Sequence, residues 1–165
     1  GHDLSQQSGT FALLPQVVKA LDIPVIAAGG IANAQGVTAA MALGAKAVQV
    51  GTAYLLATEC TTSLVHRKAL ASPEAKHTAV TNLFSGRPAR GIVNRIMREM
   101  GSLSECPPEF PLATACIAPL RAKAESAGSG DFTPLWAGQN ASECMEASAS
   151  EITHRLAQGF SVTPG

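Results

Sequence analysis

Two short apolar runs, each closed by glycine and separated by one helix-length segment, restrict what this chain can fold into more than any other feature does. Pro24-Val-Ile-Ala-Ala28 ends on Gly29-Gly30, and Ala47-Val-Gln-Val50 ends on Gly51. The first run, short and bounded by turn formers, reads as a strand buried on both faces, the pattern of parallel sheets, and the second reads as the next strand. Between them Ala34 to Leu43 reads as a helix, with Asn33 placed to cap its start and Gly44 to end it. Upstream, Phe11, Leu14, Val17, Val18 and Leu21 fall at helical spacing until Asp22 and Pro24 stop the run. Helix, strand, helix, strand with short connections is the signature of parallel βα units, and right-handed crossovers set the two strands side by side.

Beyond Thr58 the pattern changes. A helix is predicted from Thr62 to Leu70, a short strand at Thr78-Ala-Val-Thr81, and a turn-rich loop from Ser85 to Gly91. Ile92, Val93, Ile96, Met97 and Met100 then form the wide apolar stripe of another helix. Pro107-Pro108 breaks the chain, a helix follows from Leu112 to Glu125, and a last one lies between Cys144 and Leu156. Met41, Met97 and Met100 read as core residues.

The balance of charge excludes some functions. Twelve basic and twelve acidic side chains cancel, so no global field draws nucleic acid or an anionic membrane, and any anion must be held locally. No apolar run approaches the roughly 20 residues of a membrane-spanning helix. No leader of the secretory type opens the sequence, and a cytoplasmic protein is expected. Cys60, Cys106, Cys116 and Cys144 are too widely spaced for a zinc site or a disulfide scaffold and read as free thiols. His66, His77 and His154 lack metal-ligand spacing, so no metal is expected. Opening on Gly1-His2-Asp3 with no methionine, the sequence reads as a piece of a longer chain.

Paired glycine turns after successive parallel strands carry the chemistry. Glycine removes the Cβ that keeps a backbone away from a phosphate, and a following helix start offers N–H groups with positive partial charge. Gly29-Gly30-Ile31 and Gly51-Thr52-Ala53 are therefore candidate phosphate loops, with the Thr52 hydroxyl as a further donor. At this level a nucleotide, a sugar phosphate and a flavin phosphate all fit. Arg87 and Arg90 serve equally well to touch an anion or to fix their own loop.

Read whole, Pro24-Val-Ile-Ala-Ala-Gly-Gly-Ile-Ala-Asn33 and Gly44-Ala-Lys-Ala-Val-Gln-Val-Gly-Thr-Ala53 resemble the flavin-binding segment of the nitronate monooxygenase (2-nitropropane dioxygenase) family. Flavin-dependent enoyl-acyl-carrier-protein reductases share much of it. Asn82-Leu-Phe-Ser-Gly-Arg-Pro-Ala-Arg-Gly91 and Asp131-Phe-Thr-Pro-Leu-Trp-Ala-Gly-Gln139 look like the monooxygenase branch. The resemblance implies an α/β chain forming the C-terminal half of a TIM (β/α)8 barrel with additional C-terminal helices. Residues 1–60 would hold its last flavin-binding βα units, and 61–165 the remaining barrel elements and a helical extension of the same domain.

The same resemblance implies FMN as cofactor and oxidation of alkyl nitronates by molecular oxygen to a carbonyl compound and nitrite. His2 stands where the family has its active-site histidine. Gly29, Gly30, Gln49, Val50, Gly51 and Thr52 stand at cofactor-binding positions, and Trp136 and Gln139 are further candidate contacts to cofactor or substrate. Asp3 departs from the small or basic residue usual after that histidine, and a carboxylate close to the imidazole would favour its protonated form. The expected partners are a small nitronate, oxygen and the missing N-terminal half of the barrel, with a homo-oligomer compatible. The alternatives are an FMN-dependent enoyl-acyl-carrier-protein reductase and a non-catalytic phosphate-binding fragment.

Overall fold

The computed structural model describes residues 3–160. Its elements run α1 (Thr10–Ala20), β1 (Ile26–Ala28), α2 (Ala34–Ala42), β2 (Ala47–Gln49), α3 (Leu64–Leu70), β3 (Thr78–Thr81), β4 (Ala89–Ile92), α4 (Arg95–Met100), α5 (Leu112–Ser126) and α6 (Ala149–Ala157). Contacts group them into two compact units, one of Ser5–Cys60 with the segment from Glu143 onward, the other of Thr61–Ser142. No helix among the described residues is long and apolar enough to cross a membrane.

The first unit is the expected βα pattern. β1 and β2 pair in parallel with Ile26 opposite Ala47 and Ala28 opposite Gln49. The Asn33 side chain accepts the Gly36 N–H at 2.9 Å and so caps α2, while Gly44 ends it at φ +97. A Cβ at Gly44 would lie 2.8 Å from Val18 Cγ1, so α1 packs against this corner because the residue is glycine. Leu14, Ala27, Ala40 and Ala45 form one buried cluster under α1 and α2. Val37, Ala53, Ala57, Ile152 and Leu156 form another, which brings α6 onto α2. The returning chain is stitched in by the Thr58 N–H on the Ala147 carbonyl and by the Glu59 carboxylate, which accepts the Ala149 N–H at the start of α6. That amide, then the Glu59 amide and the Thr58 hydroxyl, hold the Glu59 carboxyl below its usual range.

The expectation that the first strand is buried on both faces is corrected. Ala27 is buried, but Ile26 is 61% exposed and Ala28 is exposed too. Successive side chains point to opposite faces of a strand. Helices α1 and α2 cover one face of this two-stranded sheet, and Ile26 and Ala28 stand exposed on the other.

In the second unit β3 matches its predicted span, but Ser85 to Gly91 is not all loop: Ala89–Ile92 pairs antiparallel with β3. The Arg90 guanidinium donates across the pair to the carbonyl and hydroxyl of Thr78, which stabilises a segment of low strand propensity. Gly91 is required because a Cβ there would lie 2.9 Å from the Leu135 carbonyl oxygen. That carbonyl accepts the Ile92 N–H, and Arg90 in turn accepts from Ala137. Ile92 therefore belongs to β4, and α4 starts only at Arg95. Met97 is buried, as is Phe84, but Met100 is 44% exposed and leaves the predicted core, because α4 ends at Gly101 one residue later. Met41 is half-buried and packs on both clusters of the first unit.

Candidate functional site

The parallel register fixes where the glycine turns lie. Because Ala28 and Gln49 are paired at the ends of β1 and β2, Gly29-Gly30 and Val50-Gly51-Thr52 leave the sheet at the same carboxyl rim. Gly29 and Gly30 have φ of +102 and +73, a left-handed conformation that glycine takes without cost. A Cβ built at Gly30 or at Gly51 meets nothing within 4 Å, so neither turn is crowded on that side. Gly29 is tighter: its Cβ would meet Thr10 Oγ1 at 3.1 Å, and that hydroxyl donates to the Ala28 carbonyl.

Each turn leads into a helix start. The turn after β1 enters α2, and the turn after β2 enters the single 3-10 turn Thr52–Tyr54 in place of a full helix. Loops after two neighbouring strands together with a short extra helix are the arrangement that holds phosphate in many barrels. Fixed N–H dipoles at such a rim attract an anion in a chain with no net charge. Gly29, Gly30, Gln49 and Gly51 are exposed, and Val50 and Thr52 half-buried.

A cavity of about 270 Å³ in the same unit is lined by Ala32, Asn33, Ala53, Glu143 and Arg155, among others. None of the glycines lines it, and its wall carries both an anionic and a cationic side chain, Glu143 and Arg155.

His2 lies outside the described residues. Trp136 and Gln139 belong to the second unit. Trp136 is half-buried, edge-on to Phe84 with centroids 5.6 Å apart, and Gln139 is exposed. His66 donates to the Trp136 backbone while its Nε2 is buried without a partner; burial pulls its pKa below the ordinary value and the Trp136 bond opposes this. Arg87 stacks over Phe110 at 4.8 Å and Arg90 ties β4 to β3, so both fix their own segment. All four cysteines are free thiols.

Glu143, which the sequence did not single out, and Cys144, which it gave only as a free thiol, bond beside the two turns. Asn33, which follows the first, donates to Glu143 Oε2 at 3.3 Å, and the Cys144 thiol donates to the Thr52 carbonyl at 3.0 Å. Burial, with the Glu143 charge adding to it, pushes that thiol up to about 11, so it stays protonated and able to donate.

Fold and rim define an α/β protein with paired glycine turns at the carboxyl ends of neighbouring parallel strands. The nitronate monooxygenase family model matches residues 1–159, and the chain belongs to that family. It is 38% identical over 151 residues to the nitronate monooxygenase of Pseudomonas aeruginosa, covering 91% of this chain and 43% of that protein. It is 39% identical over 132 residues to a probable nitronate monooxygenase of Staphylococcus saprophyticus, covering 80% of this chain and 37% of the relative. Among solved structures it is similar to nitroalkane oxidase from Streptomyces ansochromogenes, with a TM-score of 0.82 and 39% identity over 92% of this chain and 43% of the other. It is also similar to FabK from Thermotoga maritima, with a TM-score of 0.74 and 31% identity over 93% of this chain and 49% of the other. The chain thus spans less than half the length of each of these proteins.

Proposed function

We propose that this chain is the C-terminal half of a (β/α)8 barrel with additional C-terminal helices, in a cytoplasmic enzyme that uses FMN to oxidise alkyl nitronates with molecular oxygen. The products are a carbonyl compound and nitrite. The observation that carries the reading is the shared rim of the two glycine turns in a chain that matches the nitronate monooxygenase family almost end to end. The residues fit the cofactor: nothing crowds a Cβ position at Gly30 or Gly51, which leaves room for a phosphate to approach the two turns, and Thr52 carries a hydroxyl beside them. Gly29, Gln49 and Val50 complete the wall.

When bound, FMN supplies the electron-accepting ring; the protein supplies orientation and charge. His2 would be the catalytic residue, acting as a base or as a hydrogen-bonding and electrostatic partner to the nitro group, roles that a near-neutral pKa allows. Trp136 and Gln139 are proposed as further contacts to cofactor or substrate, on the strength of the family-like Leu-Trp-Ala-Gly-Gln stretch alone.

The test uses the full-length protein. It should release FMN on heating, consume oxygen with propionate 3-nitronate and form nitrite. Reduction of an enoyl thioester by a reduced nicotinamide, without turnover of the nitronate, would replace this reading with the reductase. Full-length protein that takes up no flavin at equimolar FMN would replace it with the non-catalytic phosphate-binding reading.

A further inference from the structure

Glu143 and Cys144 are consecutive, yet each reaches a different glycine turn. Glu143 holds the side chain of Asn33, the residue that caps α2 at the end of the first turn. Cys144 holds the backbone of Thr52 in the second, and the Thr52 carbonyl also accepts the Leu55 N–H that closes the 3-10 turn. The dipeptide is itself anchored. Ala147, three residues after Cys144, pairs with Ala57, and its carbonyl accepts the Thr58 N–H. A short, pinned segment therefore spans the rim from one turn to the other.

We propose that Glu143 and Cys144 are positioning residues, a two-pronged clamp that sets the spacing of the turns after β1 and β2 for the cofactor phosphate. The proposal rests on the phosphate reading of those turns. A turn that is ordered before binding loses less freedom when the ligand arrives, so the clamp acts on affinity through preorganisation and not through contact with the ligand. The protonated state of the Cys144 thiol keeps this prong engaged over the working pH range.

The two prongs can be tested separately in the full-length protein stripped of flavin and titrated with FMN. Cys144→Val removes the donor at similar volume, and the FMN Kd should rise about fivefold, the size of one net hydrogen bond. Cys144→Ser keeps a donor and should restore most of the loss. The 31P resonance of bound FMN should shift in the valine variant and return towards the wild-type position in the serine variant. Glu143→Gln keeps the acceptor for Asn33, whereas Glu143→Ala does not, so the alanine variant should bind FMN more weakly than the glutamine variant. Equal Kd values and an unmoved 31P resonance across these pairs, in protein with unchanged Tm, would overturn the clamp while leaving the phosphate site standing. Wild-type protein that binds riboflavin as tightly as FMN would instead remove the phosphate site, and the clamp with it.

Discussion

Gly51→Val separates the demands of folding from those of the cofactor. Gly51 has φ −112, which any L-residue adopts, and a Cβ there meets nothing within 4 Å. Nothing crowds the first added carbon and the residue is exposed, so apo-protein stability should change by no more than about 0.5 kcal/mol, the range of an uncrowded surface substitution. For a domain of this length that is a Tm change of roughly 2 °C or less. The cofactor meets a different situation, because the added methyls occupy the space through which a phosphate reaches the backbone. Loss of one hydrogen bond to a charged group costs about 1.5–3 kcal/mol, so the FMN Kd should rise about 10- to 150-fold. Differential scanning of the apo-protein and flavin fluorescence titration read the two quantities independently. An unchanged Kd would refute the assignment of phosphate to this turn, and a large fall in apo Tm would refute the claim that the turn is open.

Three further outcomes follow from the packing. Gly159→Ala places a Cβ 2.3 Å from the Ala34 carbonyl oxygen and 2.6 Å from Val37 Cβ, so it should lower stability by about 1–3 kcal/mol in chemical denaturation. Asn33→Ala removes the α2 cap and should cost about 1 kcal/mol in the same assay, with weaker FMN binding because the cap also meets Glu143. His66 has its folded pKa depressed by burial, so the stability it contributes is present above its unfolded value and is lost as pH falls through the folded one. Denaturation midpoints should decline below about pH 6.5, and His66→Gln should flatten that decline.

The framework around the site was legible because its signals are local. Asn33 and Gly44 bracket α2 through contacts within a few residues, and glycines ending two short apolar runs are enough to place both turns. Burial was not legible, since whether Ile26 is covered depends on elements that its own sequence neighbourhood does not encode. β4 was missed for a related reason: Pro88, Arg90 and Gly91 look like a turn, and the strand exists through pairing with β3 and with Leu135, more than 40 residues on. Glu143 and Cys144 meet partners 110 and 92 residues away, and no motif announces such contacts. The resemblance that named the family rested on the glycine blocks and the later Asn82–Gly91 and Asp131–Gln139 stretches, and the family match bears it out.

The most direct measurement compares backbone amide shifts in 15N-labelled full-length protein titrated with FMN and with riboflavin, which differ only by the phosphate. The account predicts that the Gly30, Gly51 and Thr52 amides move with FMN and stay near their apo positions with riboflavin. Equal shifts with both flavins, or a phosphate-dependent shift confined to residues away from these two turns, would contradict it.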